Sequence, residues 1–417
     1  MWDGVSVRYD VAVIGAGPGG SAAATHLARG GARVVLVDRA ARGRDKSCGD
    51  GLTPRAMHEF ARLGYDPTPY HRTDGLRIVA RERQREVRWP ERAGFPGCGS
   101  VIRRVDLDAG LLDLAIAAGA DLRERSEATV VRDDRGRAVG VDTPDGRIGA
   151  DLVVVAAGAG SPVAASLGAT RPRSGVQGLA IRAYAPSTRS TDRHLEASLA
   201  VRDAEGRAMP GYGWVFPLGD GSVNIGFGVL STMRTEGRLN LRNLLGQYAA
   251  SVRNAWGLGE LERSWAWRLP MEVDRRCGPG WVAVGDAAGL VNPCNGEGID
   301  YAMESGRIAA EVFLGGAGPD GTAAAYEAVL AARFDPFFRT ARRFAHVIAR
   351  PRLLDVLLGG AMVSDATMRL VAAVLGNILD DEHPRFAEFS VRAGGAVLGA
   401  TERLWRRDGD AAAAELV

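Results

Sequence analysis

Short apolar runs and strict alternations divide this chain into elements before any motif is read. Val11-Ala12-Val13-Ile14, β-branched at three of its four positions, suits a strand buried on both faces of a parallel sheet. An alanine-rich stretch over 21–29, stopped by Gly30-Gly31, predicts a helix, and 33–37 predicts a second strand. Pro54 marks the start of a helix over about 55–63, and Arg103-Arg104-Val105-Asp106 opens another through Ala117. Residues 76–79 and 85–88 alternate in the manner of exposed antiparallel strands. A strand near 128–132 precedes turns at 133–136 and 145–146, and 151–158 is a buried strand ending on small residues. From about 177 to 271 the pattern is strand after strand with few long helices, which predicts a mainly antiparallel sheet. From Tyr301 onward it is helical. Apolar stretches at 353–362 and 370–379 are most simply core faces of amphipathic helices, with an apolar channel or a membrane-resting face as the alternative. An alanine-rich tail lies at 411–414, and there are no internal repeats.

The first strand runs into Gly15-Ala16-Gly17-Pro18-Gly19-Gly20, which satisfies G-x-G-x-x-G, and the second strand ends on Asp38. Each part has a mechanical reason. Gly15 makes the tight turn, Gly17 admits a pyrophosphate against the backbone, and Gly20 lets the helix pack on the strand. The helix N-terminus offers unpaired N–H groups to phosphates, and Asp38 can accept ribose hydroxyl hydrogen bonds. Strand, helix, second strand and acid all stand where a dinucleotide clamp needs them. Far downstream, Gly280 to Gly289 forms another apolar strand that breaks into Gly285-Asp286. The turn-rich stretch Asn292-Pro293-Cys294-Asn295-Gly296-Glu297-Gly298-Ile299-Asp300 then leads into a helix over 301–313.

Composition narrows the classes further. A chain of 417 residues buries a large core and normally splits into two or more domains. A formal net charge of +2 leaves no electrostatic footprint for nucleic acid. Four cysteines and six histidines show no metal-ligand spacing, so neither zinc nor a disulfide framework is expected. No apolar signal region opens the chain, and no stretch approaches the ~20 apolar residues that span a bilayer. A cytoplasmic protein is expected, with peripheral contact at the inner membrane face as the alternative. Lys46 is the only lysine and lies two residues before Cys48.

The pairing of the N-terminal clamp with the remote Gly-Asp strand resembles FAD-dependent oxidoreductases built like glutathione reductase and p-hydroxybenzoate hydroxylase. In them the downstream aspartate holds the ribityl chain and the following helix N-terminus faces the isoalloxazine. Three signatures narrow the resemblance to the geranylgeranyl reductases, in an actinobacterial branch that includes menaquinone reductases. They are Lys46-Ser47-Cys48-Gly49-Asp50-Gly51-Leu52-Thr53-Pro54-Arg55-Ala56, Tyr212-Gly213-Trp214-Val215-Phe216-Pro217 (Y-x-W-x-F-P), and the Gly-Asp helix and turn from Asp286 to Asp300. Two departures stand out. Pro210 lies two residues before Tyr212 where the family has a proline three before, and Cys294 occupies a turn where a bulkier apolar residue is common.

The resemblance implies an α/β fold. An FAD-binding Rossmann-like domain would be formed by 1–72, 101–176 and 273–315. Substrate-domain strands would lie in 73–100, an inserted mainly antiparallel substrate domain in 177–272, and a helical region in 316–417. The implied flavin contacts are Gly15, Ala16, Gly17, Pro18, Gly19 and Gly20 of the clamp, with Asp38 and Arg39. Lys46, Ser47, Cys48 and Gly49 of the cysteine loop join them, as do Arg104, Ala128 and Gly158. The remote half adds Gly285, Asp286, Gly296, Gly298 and Ile299. The implied activity is saturation of isolated carbon–carbon double bonds in an apolar isoprenoid, first of all a prenyl-quinone tail, by hydride from reduced flavin N5 plus a proton. NAD(P)H, or another electron donor, would bind transiently, since no second G-x-G-x-x-G exists.

Such chemistry needs a dry pocket and a nearby acid. Tyr212, Trp214 and Phe216 alternate, so on a strand they share one face and wall a slot; ordinary sheet core is the alternative. Cys48 is the candidate proton-delivering or redox-active side chain, its pKa expected to be lowered by Lys46 and glycine amides. Packing against the flavin is the alternative. A Cys48–Cys294 redox pair is a further expectation. The rival activities are a flavin monooxygenase or halogenase, for which Trp265-Ala266-Trp267-Arg268-Leu269-Pro270 is a near match to W-x-W-x-I-P, and a reductase of a soluble polyene. A non-enzymatic flavin module has least support.

Overall fold

The computed structural model describes residues 5–378, apart from 81–82, 91–93, 174, 200, 204, 234–239, 351–353, 355–361 and 363. The apolar stretch expected at 353–362 therefore falls largely outside the described residues, as does the alanine-rich tail.

The β-branched run after Asp10 becomes the middle of an eight-stranded sheet. Across it the strands are ordered Cys277–Gly278, Trp281–Ala283, Gly146–Val155, Val5–Ile14, Val34–Val37 and Asp121–Arg123, with Ala138–Thr143 and Thr129–Arg132 joined to the side of Gly146–Val155. Val11 is paired in parallel with both Val34 and Leu152, and Val154 with Val282. The remote Gly-Asp strand thus lies one strand away from the clamp strand. Val11, Val13, Val35, Val153 and Val282 are fully buried, as expected for parallel strands covered on both faces. Helix Pro18–Arg29 packs between Ile299–Leu314 and Arg104–Ala117. The fold is the FAD-binding α/β type that the sequence implied.

A seven-stranded sheet follows the order Trp265–Pro270, Gln177–Pro186, Ser222–Leu230, Tyr212–Pro217, His194–Leu199, Gly75–Ala80 and Arg83–Arg88. It is mainly antiparallel, but His194–Leu199 and Gly75–Ala80 run parallel. The early pair 76–79 and 85–88 is antiparallel as expected, yet Gly75–Ala80 is an inner strand, with Leu76, Ile78 and Ala80 buried. Its alternation gave no sign of burial because Arg77, though 4 % exposed, is itself buried against Glu86 and Asp192. One face of the sheet packs on helix Leu241–Trp256 through Val215, Phe227 and Tyr248. On the other, Leu76, Leu195 and Trp89 meet Met368 and Ala372 of helix Asp365–Leu375. A small sheet of Gly51–Leu52, Gly99–Val101 and His71–Thr73 joins the two halves. No helix among the described residues is long and apolar enough to cross a membrane.

Candidate active site

At the clamp, the backbone leaves no room for side chains. Gly15 has φ +104°, and a Cβ on Gly20 would sit 1.8 Å from the Gly15 carbonyl oxygen. Helix Pro18–Arg29 can begin this close to the strand only with glycine there. Asp38 accepts hydrogen bonds from the Ala16 and Ala40 amides at 2.7 and 2.8 Å, which pins the end of the second strand beside the turn. Ala16 and Asp38 line a small cavity with Arg42, Arg44 and Asp108. Arg44 reaches Asp108 at 3.4 Å, and Asp108 is held bidentately by Arg104 at 2.7 and 2.8 Å. Arg104 in turn lines the main cavity, so this chain of charges, half-buried at Arg44 and buried at Asp108 and Arg104, joins the two spaces.

The main cavity encloses about 1360 Å³ of empty space, part of it open to solvent. It lies between the FAD-binding sheet and the inserted sheet. Pro18, Lys46, Ser47, Cys48, Gly49, Arg104, Asp286, Gly296, Gly298 and Ile299 all line it, as do Tyr212, Trp214 and Phe216. The structure therefore gathers into one space residues separated by up to two thirds of the chain. The glycine cradle, the twin cavities and the charge link between them fit an extended dinucleotide such as FAD. Other expected positions lie elsewhere. Arg39 is exposed, and Ala128 packs in the core of the large sheet. Gly158 follows the buried strand Gly146–Val155 with φ +76°. Gly285, with φ +60°, donates its amide to Ser305 Oγ behind the cavity at 3.0 Å.

The aromatic alternation behaves as its spacing demands. Tyr212, Trp214 and Phe216 stand in a row with ring centroids 5.9 and 6.2 Å apart, on the face of their strand opposite Val215. Tyr212 donates its hydroxyl to the Asn295 carbonyl (2.5 Å), tying the row to the Gly296 turn. Phe216 lies over Gly51, where a Cβ would come within 2.8 Å of the ring. Leu76, Leu195, Ala197, Leu199 and Leu375 complete an apolar wall.

The cysteine loop differs from expectation. Lys46 pairs with Asp286 at 3.0 Å, its ammonium 5.8 Å from the Trp267 ring centroid, and it is the least of the influences on the Cys48 thiol. Burial, and secondarily Asp50, push the Cys48 thiol pKa up rather than down. Proximity in sequence misleads here because Asp286 engages the lysine, and burial outweighs what remains of its pull on the thiol. Cys294 is also protonated, its pKa raised by burial to about 12, and both cysteines are free. The near match at Trp265–Pro270 is an edge strand whose first tryptophan is exposed and whose second, Trp267, lines the main cavity.

Four residues not singled out from sequence complete the site. Asp50 is fully buried with φ 62°; its Oδ2 accepts from Tyr184 Oη (2.7 Å) and Asn224 Nδ2 (2.8 Å). Asn224 also donates to the Cys48 carbonyl and accepts from Trp214 Nε1. A lone amide inside the otherwise apolar run Val223 to Leu230 was the available signal. Glu297 and Asp300, buried beneath the turn, share the amide of Asn377 at 3.1 and 2.7 Å. Burial raises both carboxyl pKa values, with added repulsion from Asp300 on Glu297 and from Glu304 on Asp300, whose pKa reaches about 6.

A family model described as an FAD binding domain matches residues 8–328. The menaquinone reductase of Mycolicibacterium smegmatis is 41% identical over 387 residues, 91% of this chain and 94% of that protein. Digeranylgeranylglycerophospholipid reductase 1 of Methanopyrus kandleri is 30% identical, over 82% of this chain and 90% of that one. Among solved structures, a geranylgeranyl bacteriochlorophyll reductase-like protein from Thermoplasma acidophilum superposes with a TM-score of 0.76 at 24% identity, covering 95% and 99% of the two chains. A flavin-dependent brominase shares the fold at a TM-score of 0.73 and 17% identity, covering 96% and 100%. The clamp, the remote Gly-Asp strand and these relatives agree: the chain belongs to the geranylgeranyl reductase family of FAD-binding oxidoreductases.

Proposed function

We propose that this protein reduces isolated carbon–carbon double bonds of an isoprenoid chain, with the prenyl tail of menaquinone as first substrate. The observation that carries the reading is the apolar cavity: the row Tyr212, Trp214 and Phe216 faces the cysteine loop and the Gly296 turn across a space lined by leucines. The M. smegmatis relative, named a menaquinone reductase, supplies the choice of tail.

The glycine cradle and Asp38 would hold the adenosine and pyrophosphate portion of FAD, while Asp286, Gly296 and Gly298 would meet the flavin portion. When reduced, the bound flavin supplies hydride and its electron pair. The protein's own tasks are different. An isolated alkene has no carbonyl to polarise, so it must be held in place while water is kept out. The aromatic row orients the flat double bond, Phe216 closes over Gly51, and Leu375 caps the apolar wall. Cys48 keeps its proton and lines the space as a small, polarizable group. NAD(P)H or another donor reaches the flavin transiently, and the substrate is delivered by peripheral contact with the inner membrane face.

Halogenation or hydroxylation has less support. The brominase likeness is one of fold, and the two-tryptophan strand brings only Trp267 to the cavity, its first tryptophan being exposed on the sheet edge. The deciding experiment is anaerobic reduction of the bound flavin, addition of menaquinone in detergent micelles, and mass spectrometry of the lipid. A gain of about two hydrogens per turnover in the tail is expected. A hydroxylated or unchanged tail rejects the reading.

A further inference from the structure

Alkene reduction needs a proton as well as a hydride, and the raised pKa of Cys48 makes its thiol a poor acid. Resting on the reductase reading above, we propose that Asp50 is the catalytic acid, donating the proton on its Oδ1 to the double bond. Asp50 lines the main cavity, two residues from Cys48, and its own amide donates to the Cys48 sulfur at 3.3 Å. The two carboxyl oxygens differ in kind. Oδ2 accepts from Tyr184 and Asn224 and is saturated with donors. Oδ1 is buried and meets no hydrogen-bond partner among the described residues. A proton on this carboxyl therefore resides on Oδ1, where no protein acceptor competes for it.

The charged and titratable groups around Asp50 come from three elements. Arg182 and Tyr184 lie on strand Gln177–Pro186, Arg103 and Arg104 at the start of helix Arg104–Ala117, and Cys48 on its own loop. Arg182 is engaged by Asp45, Arg103 by Asp220 and Arg104 by Asp108. Burial outweighs the arginines and the two hydrogen bonds, so the carboxyl pKa rises to about 6. A carboxyl poised there is a far stronger acid than the thiol beside it, yet holds its proton below neutrality. Asp50 also occupies the left-handed region, a conformation that the loop must enforce.

The step balances as follows: the alkene π bond breaks, Oδ1–H breaks, and a C–H bond forms at one carbon. The hydride supplied by reduced flavin forms the second C–H bond, which leaves an alkane, oxidised flavin and an Asp50 carboxylate. Tyr184, Asn224 and the nearby arginines stabilise that carboxylate until it is protonated from solvent.

The test uses the FAD-loaded enzyme carrying isotope-labelled aspartate, with menaquinone in micelles as the probe. Infrared titration is expected to show, beside a band from Asp300 in the same range, a protonated carboxyl band that disappears around pH 6 and is absent in Asp50→Asn. That variant is expected to keep its flavin and to saturate the tail roughly 100-fold more slowly or worse, the scale of a lost general acid. Undiminished tail reduction by Asp50→Asn, or no such band in the wild type, overturns the proposal. If Asp50→Asn loses flavin, Tyr184→Phe decides. Removing that donor is expected to move the carboxyl midpoint and the falling limb of the rate profile to higher pH together. A rate profile that stays put while the band moves overturns the proposal. Wild-type enzyme that reduces no prenyl tail overturns the substrate reading itself, and the role of Asp50 falls with it; an active wild type with an equally active Asp50→Asn isolates the failure to Asp50.

Discussion

Lys46 Nζ stands 3.0 Å from Asp286 Oδ2, joining residues 240 positions apart. This contact locks the cysteine loop to the end of the remote strand, on the cavity wall where both halves meet. Both side chains are mostly buried, so removing one partner leaves the other charge poorly solvated. Lys46→Met is expected to weaken FAD retention roughly tenfold, equivalent to about 1.4 kcal/mol, read from the flavin released on dialysis. The rate at which iodoacetamide alkylates Cys48 is expected to fall only slightly, because Lys46 is the least of the influences that lower the thiol pKa.

Gly20→Ala places a methyl group 1.8 Å from a backbone oxygen that cannot move without opening the Gly15 turn. Purified variant is expected to be colourless. Its stability in urea is expected to fall by about 3 kcal/mol, the upper range for forced overpacking.

Trp214→Phe keeps the aromatic row but removes the indole N–H that Asn224 accepts at 3.0 Å. A buried amide oxygen then lacks a donor, which costs about 1–3 kcal/mol in denaturant unfolding. Since the other end of the same amide donates to Asp50, the carboxyl midpoint is expected to move upward in the same variant.

A buried acid whose pKa rises on folding makes the native state hold extra protons. For Asp50, 3.8 becomes about 6, so its contribution to stability is full below pH 3.8 and is lost as pH rises through 6. Asp50→Asn lacks that loss. Between pH 4 and pH 7 its unfolding free energy is expected to gain on that of the wild type by on the order of 2 kcal/mol.

Asn377 ties the end of helix Asp365–Leu375 to the site. Its amide nitrogen donates to Glu297 and Asp300, its amide oxygen accepts from Asn295 and from Asn292, and its carbonyl accepts from Arg55. Its φ of 55° is tolerated well by asparagine. Asn377→Gly preserves the backbone and removes a partner from buried Asn292 and Asp300 and from half-buried Asn295 and Glu297. Faster proteolysis near residue 365 and a loss of about 3 kcal/mol are expected.

Periodicity made the large sheet legible because a strand buried on both faces must be apolar throughout, and the clamp glycines because sterics allow no substitute. The aromatic row was legible for a similar reason: a spacing of two can only mean one face of a strand. Asp50 was not, although its whole loop was quoted. A carboxylate between glycines looks like a turn residue until Tyr184 and Asn224, from strands more than 130 positions on, are seen to enclose it. Lys46 misleads in the opposite direction, since its charge is engaged by Asp286 and acts only weakly on the neighbouring thiol. The burial of Gly75–Ala80 was hidden by Arg77, whose ion partners come from elsewhere.

The parallel junction of His194–Leu199 with Gly75–Ala80 has a bearing on assembly. Strands gathered across so many residues cannot zip up as successive hairpins, so the barrier carries the entropy of closing a very large loop. The early strands must wait for a partner synthesised well over a hundred residues later. Nascent chains therefore display a greasy, unpaired β-edge during translation, a hazard that chaperone capture during synthesis would relieve.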